Sequence, residues 1–446
     1  MTQKTLLYNR HEVNDMSDSK VEMTPTLESW RSPKENIYDR FADELGKWSM
    51  DGNEPFDGSQ DVRFYLELEE KRLKEHNIEM SYSLEGTGAP PMQTGRVLGG
   101  VLTPYNSNVH YRSAVESLSF TRDGETLYKH QKDVVFYETI LDAKNEDDLD
   151  KHPYACPNCG SATTIGELLR NACPYCNTQF LMSDLYPKVM SYYAIETVPA
   201  PEKIKEKSRK YPLIGAVIGA VAGLYSSIVS DYLTLGIPGI LLTLFYMLLC
   251  GGIFAFVMYM LYSISLLGKA FKLAGKSLPM LPALGSNKKL NDKLTVYDPS
   301  FSVEYFSSKA ISLFRGIVFS KDPKELSFYE GRQIGDDFSD LIHCAYKGGV
   351  GFSAIQEKEG MIHVALDLYL TDYYDRGNRV KAAEEKIRMV MRHKKDFRVS
   401  DSFSITAVEC KGCGGSFKAT YQKHCPYCGR EYDVAIDDWE VVSIQK

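Results

Sequence analysis

The sequence has no surplus of positive charge: 52 lysines and arginines stand against 59 aspartates and glutamates over 446 residues, a formal net charge of −7. Binding to nucleic acid rests on neutralising phosphates, so no nucleic acid partner is expected. The first thirty residues have no apolar run and carry Glu12, Asp15, Asp18, Glu22 and Glu28. They match neither a secretory signal nor an acid-poor mitochondrial transit sequence, and read as a flexible tail. Catalytic groupings are missing too. Gly99-Gly100 and Gly349-Val-Gly351 lack the context of a phosphate loop, and Glu67-Leu-Glu69-Glu70 and Glu146-Asp147-Asp148 read as solvated faces. No nucleophile constellation is visible, so the chain is not expected to be an enzyme.

Charge is absent altogether from two stretches, Leu213 to Val229 and Ile240 to Leu267. A bilayer requires roughly 20 apolar helical residues, and the connection between the stretches is short, with Asp231, Gly236, Pro238 and Gly239. The expectation is a transmembrane helical hairpin over 211–267. Lys203, Lys205, Lys207, Arg209 and Lys210 precede it, and Lys269, Lys272 and Lys276 follow. Basic residues stay on the cytoplasmic side, so both termini are expected there. This basic region faces anionic lipid headgroups, making membrane lipids an expected partner. Gly215, Gly219 and Gly223 recur every fourth residue on one face, which allows close backbone approach. Packing within the hairpin and a homodimer seam both stay open for that face.

Ahead of the hairpin, Ser32, Pro33 and Glu35 read as a helix start. Ile37, Phe41, Leu45 and Trp48 continue at helical spacing, and a second helix is expected over Val62 to Glu75. Strand-prone runs follow at Arg96–Leu102, Val109–Phe120 and Leu127–Leu141, with Asp123-Gly124 as a hairpin turn. Beyond the membrane, Leu278 to Asn291 reads as a linker. Asp298-Pro-Ser-Phe-Ser302 then opens a helix through Phe306, Leu313 and Ile317, and Arg332 to Ala345 reads as another helix. Ile362 to Leu370 alternates as a strand, Val380–Met391 is its neighbour across the turn Asp375-Arg-Gly-Asn378, and Phe403, Ile405 and Ala407 form one more. Strands at Val189–Thr197 and Trp439–Ile444 close the two halves.

Eight of the ten cysteines fall into two units, Cys156, Cys159, Cys173, Cys176 and Cys410, Cys413, Cys425, Cys428, with thirteen and eleven residues between their pairs. This is zinc-ribbon spacing, and four thiolates leave no open position for water, so two structural zinc ions are expected. Gly160, Asn177, Gly414 and Gly429 follow the second cysteine of each pair and tolerate the left-handed turn a knuckle needs. Cys250 and Cys344 read as buried thiols, Cys344 on the Arg332–Ala345 helix. His424 reads as a neighbour of its site rather than a ligand.

Aligned on Cys176 and Cys428, the segments run without a gap from Phe180 against Tyr432 to Tyr192 against Ile444. The chain therefore reads as one α+β unit used twice. The boundaries are a tail 1–30, a first domain 31–199 with its ribbon at 153–180, and a basic linker 200–210. The hairpin 211–267, a linker 268–294 and a second domain 295–446 with its ribbon at 408–431 complete it.

Asp298-Pro-Ser-Phe-Ser302, Phe306 with its helical stripe, the alternating strands and Trp439 in the last strand resemble the TIM-forty-four-like family. That is the membrane-anchor subunit of the mitochondrial import motor and, more closely, its bacterial membrane-bound zinc-ribbon relatives. The resemblance covers about 295–446, with a fainter echo in 31–199. It implies an α+β fold like nuclear-transport-factor-two with a concave apolar pocket, and partners that are proteins or lipids. The mitochondrial member tethers a heat-shock chaperone to a protein-conducting channel. This chain departs from it in having its own hairpin, zinc ribbons and no presequence, so the tethering role is not carried over and a bacterial cytoplasmic membrane is the expected home. The leading expectation is a membrane-anchored, zinc-stabilised scaffold engaging proteins in transport or membrane biogenesis. The alternative is a lipid or small-ligand carrier or sensor using an apolar pocket.

Overall fold

The computed structural model describes residues 37–446 except 87–91, 95–104, 144–148, 152–153, 198–200, 278–280, 300, 332–333, 335, 396–407, 420–421 and 437. The start motif Ser32-Pro33-Glu35, the tail 1–30, and the expected strands at Arg96–Leu102 and Phe403–Ala407 lie outside the described residues.

The first half begins with α1 (Ile37–Asp51), whose Phe41, Leu45 and Trp48 are buried at helical spacing. Then comes α2 (Gln60–Glu75), capped by Ser59, whose hydroxyl accepts from the Val62 amide at 3.3 Å. Satisfying an orphan amide this way sets the helix start, two residues earlier than the apolar pattern suggested. An antiparallel sheet follows, with β1 (Glu79–Gly86), β3 (Tyr105–Arg122), β4 (Glu125–Ala143) and β7 (Lys188–Glu196) in that spatial order, and the short β2 (Met92–Thr94) added to β3. Asp123-Gly124 forms the two-residue turn between β3 and β4, both residues at positive φ, the twist that joins adjacent strands most simply. No reading of the sequence anticipated β1.

The second half repeats this plan. One helix, here α8 (Val303–Phe319), precedes β8 (Leu341–Lys358), β9 (Met361–Asp375), β10 (Val380–Lys394) and β13 (Glu440–Gln445), again neighbours in chain order. In each half the four-cysteine unit lies between the third and fourth main strands, within Tyr154–Leu185, which includes the short helices α3 (Ile165–Asn171) and α4 (Met182–Leu185), or within Val408–Ile436. The ungapped alignment holds at the level of single hydrogen bonds. Val189 exchanges backbone bonds with Asp57 and Ser59 at 2.8 Å, and Val441 does the same with Phe328 and Glu330 at 2.8 and 2.9 Å. The closing strand also bulges at the same place. Val189 faces Ile140 while Ser191 faces Thr139, and Val441 faces Met391 while Ser443 faces Val390. A bulge adds one residue to one strand only, so its recurrence marks a shared architecture.

Two stretches differ from expectation. Arg332 to Ala345 is not a helix: its described part is one 3₁₀ turn, Asp336–Phe338, and the start of β8. Cys344 therefore lies on a strand. Ile334, Phe338, Leu341 and Ile342 imitate helical spacing because β8 is buried on both faces: Leu341 and Cys344 enter the second core, and Ile342 enters the first. A strand buried on both sides loses its alternation. The Leu278–Asn291 linker is largely α7 (Leu281–Leu294), with Pro282 near its start, where proline is tolerated; Leu290 and Leu294 are buried against the second half. Ser286 there accepts from the Phe352 amide at 2.9 Å.

The basic linker is also helical, continuous with α5 (Pro201–Val229); a short turn then leads to α6 (Ile237–Ser277). Ile204–Val229 and Ile237–Phe271 are long and apolar enough to cross a membrane, and mostly exposed. The glycine face is taken up within this hairpin. A Cβ at Gly215, Gly219 or Gly223 would run into the Phe254, Cys250 or Tyr246 carbonyl of α6. Tyr211 stacks on Tyr262 at the basic end, and Tyr232 on Tyr246 near the turn. Amphipathic rings favour such positions at interfaces.

The two halves share their cores. Phe64 and Leu68 of α2 belong to the second core, and Ile342, Tyr373 and Val380 belong to the first.

Candidate metal centres and the seam between the halves

Short hairpins hold the first knuckle of each four-cysteine unit: β5 (Tyr154–Ala155) with β6 (Ala162–Thr163), and β11 (Val408–Glu409) with β12 (Ser416–Phe417). The four knuckles repeat one backbone pattern. The amides of Gly160, Asn177, Gly414 and Gly429 return to the carbonyls of Cys156, Cys173, Cys410 and Cys425 at 2.8–2.9 Å. All four residues sit at φ between 57° and 76°, the left-handed turn that glycine and asparagine adopt most easily. The thiols converge as a result. Cys156 Sγ lies 3.7 Å from Cys176 Sγ and Cys159 Sγ 3.7 Å from Cys173 Sγ; the Cys410–Cys428 and Cys413–Cys425 pairs stand at 3.6 and 3.7 Å.

These separations fit a metal. A tetrahedron with metal–sulfur bonds of about 2.3 Å has edges of about 3.8 Å, and all four sulfurs of each group lie within 4.8 Å of one another. Each group could therefore hold one ion, with four sulfur donors completing a tetrahedral shell. The sites differ in cover. Cys413 and Cys428 are exposed, whereas Cys159 and Cys176 are only half-buried. At the first site Asn158 Nδ2 donates to Cys176 Sγ at 3.6 Å and to Thr178 Oγ1 at 2.7 Å, tying its two knuckles together. His424 lies outside the thiol group and pairs through its backbone with Glu431. Tyr175 and Tyr427 occupy the same position in the two units and are 69% and 70% exposed.

Sequence reasoning missed the seam between the halves. Lys309 Nζ on α8 lies 2.9 Å from Asp61 Oδ2 on α2 and 2.6 Å from Asp438 Oδ2. Glu69 of α2 holds His343 Nδ1 of β8, and Asp375 of the second half meets His76 at 2.9 Å and Arg122 at 2.5 Å. Ser191 and Ser308 share a bond at 2.7 Å. The available signal was α8 itself. Lys309 and Arg315 interrupt a helix buried around nearly its whole circumference, and a buried charge requires a partner. Among other buried groups, burial first and then the neighbouring Glu385 carboxylate push Asp372 up to about 7. Burial pushes His393 down to about 3.

Two spaces open along the seam. An inner chamber of about 100 Å³ lies among Trp48, Leu118, Val134, Arg315, Ala345 and Tyr373. An outer cleft of about 440 Å³ is lined by Tyr137, Thr139, Asn287, Glu304, Ser307 and Val350. Tyr193 and Tyr346 line both.

Comparison with protein-family models, curated proteins and solved structures finds no match to this chain.

Proposed function

We propose that this chain is a membrane-anchored scaffold whose two zinc-stiffened halves present binding surfaces at the cytoplasmic face. The observation that carries the reading is the pairing of Tyr175 with Tyr427. Two copies of one unit expose the same aromatic residue at the tip of the same cysteine knuckle. Exposed aromatics on a stiff support are what protein interfaces use as anchors. Zinc is the ion this reading assigns to both thiolate groups, because the donor set is all sulfur and the geometry tetrahedral. With every position taken by thiolate, its contribution is to folding.

In this reading the hairpin fixes location, the basic residues at its two ends favour both termini in the cytoplasm, and the membrane is a bacterial cytoplasmic one. Nuclear-transport-factor-two-like describes each helix-and-sheet half in this reading, and the expected partners act in protein transport or membrane biogenesis. The test is photocrosslinking in cells from positions 175 and 427 of the full-length chain. One protein captured from both positions supports the scaffold; lipid adducts alone, or none, sink it. A second reading, a small-ligand or lipid carrier or sensor, is favoured by one observation: the chamber and cleft meet along the seam.

A further inference from the structure

Successive residues of a strand point to opposite faces. In the first sheet Phe136 and Tyr192 pack in the first core, so Tyr137 and Tyr193 point the other way, toward the second half. There they form a ladder at one register position: Tyr111 of β3 pairs with Tyr137 of β4, and Tyr137 with Tyr193 of β7. The ring centres stand 5.3 and 4.8 Å apart and the rings are stacked, which covers both faces of Tyr137. Tyr193 then meets Tyr346 of β8 edge-on at 5.5 Å. The outer cleft lies between this ladder, α7, β8 and the first turns of α8. At about 440 Å³ it falls within the range of small-molecule sites, about 300–1,000 Å³.

The polar lining of the cleft is mostly hydroxyl, from its tyrosines and from Thr139 and Ser307. Glu304 is the one charged side chain that lines it among the described residues. It is half-buried and sits in the first turn of α8, where the helix dipole favours a negative charge. Its Oε2 accepts from Ser302 Oγ at 3.3 Å, which occupies one of about four lone-pair sites of a carboxylate. No cation among the described residues forms an ion pair with it. The acids around the inner chamber differ, since Glu384 is held by Lys347 and Glu116 meets His130 at 3.3 Å. Glu304 is also close enough to act on the ladder: burial first, then Tyr137 and the Glu304 carboxylate, push the Tyr193 phenol up.

A carboxylate without a cation, set among hydroxyl oxygens, suits a ligand that brings positive charge and several N–H donors. From this geometry we infer that the outer cleft binds the primary ammonium group of a small organic molecule, its charge on Glu304 and its N–H groups shared with the neighbouring hydroxyls. A primary ammonium carries three donors, and Val303 and Val350 offer an apolar wall for the rest of the molecule. A quaternary ammonium fits less well, because it is held by open aromatic faces and those of Tyr137 are covered. An anion would meet the charge of Glu304 with no cationic side chain in the lining to offset it. The proposal rests on the second reading above and names its ligand class. A free amine and an ethanolamine lipid headgroup offer the same group.

The test uses the full-length protein in phosphatidylcholine nanodiscs with 4-fluorobenzylamine followed by fluorine NMR. The neutral analogue is 4-fluorobenzyl alcohol, and the quaternary one is 4-fluorobenzyl-trimethylammonium. The expected result is saturable binding of the amine, with both analogues weaker by about tenfold or more, the scale of one charge-assisted hydrogen bond. Glu304→Gln keeps the size of the side chain and removes its charge. It should bring the amine down to the level of the alcohol and leave the alcohol unchanged, a split that a folding defect would not produce. Tyr193→Phe keeps the ring and should weaken the amine by about fivefold; it carries the test if Glu304→Gln does not fold. Phosphatidylethanolamine added to the discs competes with the amine where the natural ligand is a headgroup and leaves it unchanged where it is a free amine, and either result supports an ammonium site. Equal binding of amine and alcohol, or a preference for the amine that survives Glu304→Gln, overturns the proposal while the small-ligand reading stands. Failure of all three probes removes both.

Discussion

Lys309 of the second half lies 2.9 Å from Asp61 of the first, with its side chain 2% exposed. The same ammonium stands 2.6 Å from Asp438, just before the closing strand. One buried cation therefore ties the two halves together and anchors the end of the second sheet.

Lys309→Met should destabilise the protein by about 3–5 kcal/mol, because it strands two carboxylates without a cation. Chemical unfolding of the full-length chain in detergent measures this. Adding Asp61→Asn to Lys309→Met should recover part of the loss, since neutralising the acid removes a buried unpaired charge. A purely additive double variant would show that the pair is not coupled.

The two metal sites should differ in lability. The thiols of Cys413 and Cys428 are exposed, so a mercurial reagent should release the metal of the second site before that of the first. Elemental analysis should find two zinc ions in the native chain and about one after Cys410→Ser. Simultaneous release from both sites would contradict the difference in cover.

Within the hairpin, Gly219 faces the Cys250 backbone, whereas the position of a Cβ on Gly252 meets open space. Gly219→Leu should force the helices apart at a cost of about 1–3 kcal/mol. Gly252→Leu should be nearly neutral. Disulfide trapping between cysteines placed on α5 and α6 reads the separation, and equal yields in the two variants would count against close packing of the glycine face.

Asp372 gives a pH dependence of known sign. Burial pushes its carboxyl up to about 7, well above the ordinary aspartate range. The folded state thus keeps a proton the unfolded chain has lost, and this group's contribution to stability falls as pH rises from about 4 to 7. Asp372→Asn should raise the melting temperature at pH 8 and change it little at pH 4. A larger gain at pH 4 than at pH 8 would contradict the assignment.

Short-range signals were legible in the sequence. The cysteine spacing carried the ribbons, Asp123-Gly124 the longest hairpin, and Ser302 the start of α8, where its hydroxyl accepts from Tyr305 at 3.2 Å. The ungapped alignment of Val189 with Val441 also stands in the sheets. What escaped depends on the other half. The first five residues of β8 looked helical because neither face meets water, and α7 looked like a linker because its burial of Leu290 and Leu294 needs the second sheet. Lys309 and Asp61 were hidden for the same reason: they lie 248 residues apart in the chain.

The two halves should form one metal-bound unit held at a membrane hairpin. Protease sites inserted at 198–200 and 278–280 allow the hairpin to be cut from the folded, purified protein, and chromatography with metal analysis then reads the products. Two halves that remain together as one particle with two zinc ions are the predicted result. Halves that separate, or that carry fewer than one zinc each, would contradict it.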